Sequence, residues 1–342
     1  MTAKWAQMLA VSLLLLGSAS APSMAREVVL WQIGTPDGRS QEFALAGHPN
    51  DIPKQFSSRP EIVYDINKSD PSRDWPATHP GPQDSWADGK TLKRTIHFNL
   101  PQAPGGRVWL RLDFVDTCRE TAPGFQITLN HQSARFEPVC GTGAGLSDDT
   151  KGKAQRVELE LPASLLHQGE NELVLSADQG WSLYDALTLL QDAQGSAPEF
   201  RIVNFSLKPT SLFVRRDGKL LRVVDATLSL SGAIGNAAFH IESPAGSPEI
   251  APEKLPAFGA LERELLIPDA DTATDVQVTA TVGRKKRSAT VRIEPCRKWK
   301  IYVAASAHTD IGYTHLQPEV AERHNLNTDK AMERIKQYPE FK

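Results

Sequence analysis

Apolar residues alternate with polar ones in a series of short runs: Thr95 to Leu100 (TIHFNL), Val108 to Phe114 (VWLRLDF), Phe125 to Leu129 (FQITL), Arg156 to Leu161 (RVELEL) and Glu172 to Ser176 (ELVLS). A period of two turns one face of each run to a core and the other to water, which is how half-buried strands read. Turn residues separate the runs, as in Pro104-Gly105-Gly106, Asn130-His131 and Gln168-Gly169-Glu170-Asn171, and no long amphipathic helix interrupts them. Residues 26–190 are therefore expected to fold as a jelly-roll-like β-sandwich. The stretch from Ala46 to Gly89 is rich in Pro, Asp, Ser and Trp, shows little periodicity, and reads as a long surface excursion of the kind that often carries function.

Small polar residues from Gln191 to Pro198 mark a linker. Strand-like runs follow at Phe200 to Leu207, Leu220 to Ser231, Ala237 to Glu242, Ala260 to Ile267, Asp275 to Val282 and Ser288 to Ile293. Their spacing predicts an immunoglobulin-like β-sandwich over 199–296. The basic cluster Arg284-Lys285-Lys286-Arg287 falls between two of these runs and reads as a solvated hairpin turn. From Trp299 the texture changes: Lys300 to Ala305 is a short buried-type strand, a polar loop follows, and Ala331, Met332, Ile335 and Tyr338 keep helical spacing, with Asn327 or Thr328 available as N-cap. One strand-loop-helix unit cannot bury its own faces. Residues 297–342 are thus expected to be the start of an incomplete β/α barrel in a chain that is otherwise mostly β, with the Met332, Ile335 and Tyr338 face exposed.

With 342 residues, 40% of them apolar and 23% charged, the chain has material for two or more cores and is not disordered. A net charge of −3 leaves no basic excess for gripping phosphates, so nucleic acid is not an expected partner. Lys4, the apolar run Met8 to Gly17 and the small residues of Ser23-Met24-Ala25 read as a signal peptide over 1–25, which implies a secreted or periplasmic protein. That run is about half the roughly 20 residues needed to cross a bilayer, so no integral membrane segment is expected after cleavage. Export permits a disulfide, and Cys118 and Cys140 are close enough in sequence to close a loop across neighbouring strands; three unpaired thiols, Cys296 included, are the alternative.

Two groups of side chains are candidates for chemistry. Trp75 and Trp86 sit in the irregular excursion, where an exposed indole face can stack on a sugar ring while Asp74, Asp84 and Asp88 accept its hydroxyls; the plainer alternative is that these tryptophans pin the loop to the sandwich. Trp31, Trp109 and Trp181 lie in or beside strands and are expected in the core. His308 and Asp310 follow the Lys300 to Ala305 strand at its carboxyl end, where active sites of βα architectures gather, and an extended backbone there points both toward one cation. Imidazole and carboxylate are both competent zinc ligands, but two fall short of the three or four that a zinc site needs.

The string Ile301-Tyr302-Val303-Ala304, Ala307-His308-Thr309-Asp310-Ile311-Gly312-Tyr313-Thr314, Gln317-Pro318-Glu319 and Tyr338-Pro339-Glu340-Phe341 resembles the opening of a glycoside hydrolase family 38 catalytic domain, the α-mannosidase family. The resemblance implies a retaining, zinc-dependent glycosidase on a β/α barrel, with His308 and Asp310 as two of its metal ligands. The nucleophile, the acid/base carboxylate and the remaining ligands are expected beyond Lys342. Retaining hydrolysis needs two carboxyl groups about 5 Å apart, and that pair cannot be assigned here, so no turnover is expected of these residues alone. At the other end, Leu30-Trp31-Gln32-Ile33-Gly34-Thr35-Pro36-Asp37-Gly38, Glu42-Phe43, Glu170-Asn171-Glu172, Trp181 and Tyr184-Asp185-Ala186-Leu187 resemble the C-terminal jelly-roll module of polysaccharide lyase family 4, the rhamnogalacturonan lyases. That resemblance implies a carbohydrate-binding-like domain, without the lyase chemistry of a separate domain. Two readings result. One is the exported front portion of a modular α-mannosidase-type glycosidase, its barrel completed by a missing C-terminal part or a second chain. The other is a non-catalytic carbohydrate-binding protein of two β-sandwiches. In both the expected partner is a glycan or polysaccharide.

Overall fold

The computed structural model describes residues 27–56, 61–192, 199–232, 235–244, 246–248, 250–298, 312–313 and 315–338. The expected signal peptide, the strand Lys300 to Ala305, and His308 and Asp310 lie outside the described residues. The described strands are β1 (Glu27–Gly34), β2 (Glu61–Asp65), β3 (Thr78–Pro80), β4 (Lys93–Leu100), β5 (Val108–Thr117), β6 (Gly124–Leu129), β7 (Gln132–Phe136), β8 (Gln155–Leu161), β9 (Gly169–Gln179), β10 (Trp181–Asp192), β11 (Ile202–Arg216), β12 (Lys219–Leu230), β13 (Asn236–Glu242), β14 (Glu253–Lys254), β15 (Ala260–Pro268), β16 (Thr274–Val282) and β17 (Lys285–Ile293). Helices α1 (Ile52–Phe56) and α2 (Pro71–Asp74) interrupt the first half, and α3 (Gln317–Gln337) follows the strands.

The first sandwich packs a sheet of order β1-β10-β5-β8, with β3 also on β10, against a sheet of order β2-β4-β9-β6-β7. The inward residues of the alternating runs, such as Ile96, Leu110, Leu112, Ile127, Leu159, Leu173 and Leu175, meet in one core. β10 was invisible as alternation because it is the central strand: all but one of its residues are buried, so both faces are covered and the period of two is lost. It also continues to Asp192, two residues into the expected linker. The excursion from Ala46 to Gly89 is not irregular throughout, since it contributes β2, laid parallel to β4, and β3, laid on β10.

The second sandwich faces a sheet of order β11-β12-β15 with one of order β14-β13-β16-β17, around Val224, Leu228, Ile241, Val278 and Ile293. Of the cluster 284–287, expected to be a solvated hairpin turn, only Arg284 is in the β16–β17 turn; Lys285 to Arg287 open β17, and half-buried Arg287 donates to Ile202 O and Val203 O. This sandwich lies along the edge strands β7 and β8 of the first, closing edges that would otherwise offer unpaired backbone groups. The Glu160 N–H donates to Ser231 O at 2.8 Å, and Phe258, just before β15, is buried in the core of the first sandwich. Gly259 makes that approach possible: it holds φ +82°, and a Cβ there would lie 2.5 Å from the Arg135 carbonyl oxygen. The two sandwiches form one compact unit ending at Pro295, and residues 296–342 form another.

In that second unit α3 begins ten residues before the expected Asn327 or Thr328 cap. Pro318 sits in its first turn, and the Leu316 N–H is taken by the Glu319 carboxylate at 3.2 Å, so Gln317-Pro318-Glu319 is itself the start signal. Thr328 is mid-helix, where its hydroxyl donates back to His324 O at 2.9 Å. Met332, Ile335 and Tyr338 are exposed, as is Leu326.

Candidate functional site

Trp75 does not face solvent. α2 is capped by Asp70, whose carboxylate accepts from Ser72 N at 2.9 Å, and the chain leaving it drives Trp75 into the core, where the side chain is 0% exposed. Its ring meets Tyr64 and Tyr184 edge-on, each at 5.9 Å, and the Arg94 guanidinium lies 5.1 Å from its centroid. Arg94 is fully buried with no carboxylate partner among the described residues, donating Nη1 to Pro76 O at 2.6 Å and Nη2 to Thr78 O, and burial pushes its pKa down to about 10. Beside it, buried His79 contacts the Tyr184 hydroxyl through Nδ1 and Leu92 O through Nε2, both at 3.0 Å. A carbonyl only accepts, so Nε2 carries the proton and Nδ1 receives the Tyr184 O–H. Burial, reinforced by the Arg94 charge, holds His79 well below the usual histidine range, and burial pushes Tyr184 up to about 12. Trp75 therefore pins the excursion to the sandwich and offers no face to a sugar. Trp86 is half-buried, packs on Trp181 at 6.2 Å and donates Nε1–H to Asn50 Oδ1 at 2.9 Å. The carboxylates near them are engaged: Asp74 with Arg73, Asp84 with Gly81 N, Asp88 with Lys90. Trp31, Trp109 and Trp181 are buried.

Other acidic residues hold loops. Asp185 Oδ1 accepts the N–H groups of Asp37, Gly38 and Arg39 at 3.0 to 3.2 Å, tying the turn after β1 to β10. Asp149 takes Ser40 N and its hydroxyl, and Asp148 takes Thr150 N, so that pair is a turn anchor. Cys118 and Cys140 are free thiols in the structure, so the expected bridge is not formed there, although the segments adjoin: Gly141 N donates to Cys118 O at 3.2 Å. Burial, and then proximity to Cys118, push the Cys140 thiol up.

The concave surface rich in outward polar groups lies instead on the face of the β2-β4-β9-β6-β7 sheet turned away from the core. Register places Asp65 opposite His97 and His97 opposite Glu172, making one row across three strands. His97 Nδ1 is 3.2 Å from Asp65 Oδ1, Nε2 is 3.5 Å from Glu172 Oε2, and the imidazole is 47% exposed. A groove of about 580 Å³ runs from this row past Lys68, Asn99, His131 and His167. Its end is shaped by two amides. Asn130, at φ +53°, accepts Glu172 N–H at 2.9 Å and donates to Leu165 O at 2.6 Å, while buried Asn171 donates to His167 O and Gly169 O. Carboxylates, imidazoles and amides at an open strand face suit a ligand dense in hydroxyls and give an apolar one little to bury. The sequence placed His97 and Glu172 on outward positions of alternating runs; that β2 brings Asp65 beside them needed the topology. Among the described residues no group of three or more His, Cys, Asp or Glu could hold a metal ion. No helix among the described residues is long and apolar enough to cross a membrane.

The model of the CBM-like domain III of polysaccharide lyase family 4 matches residues 29–189. Those residues are a carbohydrate-binding-like domain. Rhamnogalacturonate lyase from Dickeya dadantii (strain 3937) is 25% identical over 169 residues, which take in 48% of this chain and 28% of the relative. The chain therefore spans less than a third of the curated relative that it matches. Among solved structures, Ruminococcus gnavus β-glucuronidase aligns over 58% of this chain and 34% of its own at 12% identity, with a TM-score of 0.20. The glycoside hydrolase domain of Endo-D from Streptococcus pneumoniae R6 aligns over 59% and 30% at 11% identity, with a TM-score of 0.16. Scores this low do not establish a shared fold.

Proposed function

We propose that this protein binds a glycan chain through the groove beside Asp65, His97 and Glu172. The observation that carries this reading is the row of three hydrogen-bonding side chains left open on the outer face of a domain of carbohydrate-binding type. Asp65 and Glu172 accept hydroxyl protons, and His97 between them fixes their spacing. The test is a glycan array probed with the whole chain and with His97→Ala/Glu172→Ala. The parent binds a defined set of glycans and the variant loses at least about tenfold in affinity for part of that set; equal binding by both across the whole set removes the groove from the reading.

In this proposal the glycan-binding module is the front portion of an exported, modular α-mannosidase-type glycosidase. Support comes from the residues 301–341 that resemble the start of a family 38 domain and from the signal-like N-terminus. His308 and Asp310 supply an imidazole and a carboxylate, the right donor chemistry for zinc but fewer than the three protein ligands of a catalytic site. They fit the group only in part. Elemental analysis tests the assignment: zinc retained by the parent and lost in His308→Ala supports it, and zinc content unaffected by that change counts against it.

A further inference from the structure

Another concavity of the first unit, about 930 Å³, lies where the two sandwiches meet. One wall is the outward face of the β11-β12-β15 sheet. Register sets two polar rows there, Ser206-Thr227-Glu262 and Lys208-Asp225-Glu264. The other wall is the end of β7 and β9, with Arg135 and Asp178. The corner between the walls is fixed by Glu137, which is 3% exposed. Its N–H donates to Ser229 Oγ at 2.9 Å, and its carboxylate accepts from Arg135 Nη2 at 2.6 Å and Ser206 Oγ at 2.7 Å. Asn204 Nδ2 adds a bond to Pro138 O at 3.1 Å. The Glu137–Ser229, Glu137–Ser206 and Asn204–Pro138 links join the chain just after β7 to the second sandwich, and Arg135 braces the Glu137 carboxylate, so the cleft is preformed and a ligand need not order it.

Its lining is polar and unbalanced in charge, with six carboxylates against three cations. Arg135 is tied to Glu137, Asp178 and Glu262, and Arg263 to Glu253. Asp225 and Glu264, directly opposite each other on β12 and β15, have no ion-pair partner among the described residues and are exposed. Two such carboxylates accept hydrogen bonds from hydroxyls, which an uncharged sugar supplies at every ring. A uronate adds a negative charge that this surface repels and an acceptor where it needs donors.

We propose that the cleft between the sandwiches is a second glycan-binding surface, selective for uncharged saccharide chains and closed to polyuronates. This deepens the carbohydrate-binding reading and rests on it. The test is titration calorimetry on the whole chain with linear manno-, gluco- and galactohexasaccharides and with hexagalacturonate, in about 20 mM and about 300 mM salt. Parent, Thr227→Trp, Asp225→Lys/Glu264→Lys and His97→Ala are compared. An uncharged hexasaccharide binds the parent and His97→Ala, and Thr227→Trp, which fills the wall, removes the binding that His97→Ala keeps. Hexagalacturonate binds Asp225→Lys/Glu264→Lys at least about tenfold more tightly than the parent, and the gain shrinks at the higher salt. Uncharged binding that His97→Ala abolishes overturns the cleft and leaves the groove standing. No uncharged binding to any form overturns both. Parent binding of hexagalacturonate that Thr227→Trp abolishes overturns the selectivity.

Discussion

His79 shows how a side chain of apparent chemical interest is held for structure. Its ring is buried between Phe125 and Tyr184, and both nitrogens are used internally. Because its folded-state pKa lies well below the ordinary 6.5, the unfolded chain binds the extra proton first as pH falls. The stability it confers is therefore complete above about pH 6.5 and declines as pH drops below that value, by up to about 1.4 kcal/mol per pH unit. Calorimetric melts at pH values on either side of that threshold should show the decline, and His79→Gln, which still can donate to Leu92 O, should flatten it; an unchanged slope in the variant would assign the acid sensitivity elsewhere. Trp75 carries the same lesson about legibility. Its position in a Pro- and Asp-rich stretch leaves both a sugar-facing and a loop-pinning role open, because local composition reports only polarity, whereas the burial that decides for pinning comes from contacts with Arg94 and Tyr184 on other strands. The amide of Asn171, by contrast, lies in Glu170-Asn171-Glu172, and the structure supplies its purpose: it closes the turn before β9.

Strands whose polar positions regularly interrupt the apolar ones were readable, and strands without that pattern were not. β4, β6, β8 and β9 keep one wetter face, and β5 alternates in sequence through Arg111 and Asp113 although nine of its ten residues are buried, while β10 shows no such alternation and β2 was hidden in a polar stretch. That omission hid the groove, since Asp65 sits on β2. The junction of β7 with β15 depends on backbone approach at Gly259. Gly259→Ala places a methyl against Arg135 O at a left-handed φ and should cost about 1 to 3 kcal/mol in urea unfolding; an unaltered midpoint would mean that the strands do not approach as closely as described. In the second unit, α3 exposes Leu326, Met332 and Ile335 and buries only Val320. Limited trypsin digestion should therefore cut at Lys330, Arg334 or Lys336 before any strand of the sandwiches. Survival of α3 beyond the first sandwich cuts would show that its apolar face is covered.

The chain as a whole joins two β-sandwiches so that the second closes the open edges of the first and adds a polar wall beside it. Period-two patterning was enough for a mostly β fold. The location of the proposed binding surface was not readable, because register across β2, β4 and β9 decides which polar side chains stand together. The outer face of that sheet is the center of the functional reading, and amide chemical-shift mapping tests it most directly. The ¹⁵N-labelled whole chain is titrated with the uncharged oligosaccharide that binds best on the array. The predicted result is a set of shifts at Asp65, His97, Asn99 and Glu172, separate from any set around Asp225 and Glu264, with the Trp75 indole unmoved. Shifts confined to the loop around Trp86, with the Asp65, His97 and Glu172 row silent, would contradict it.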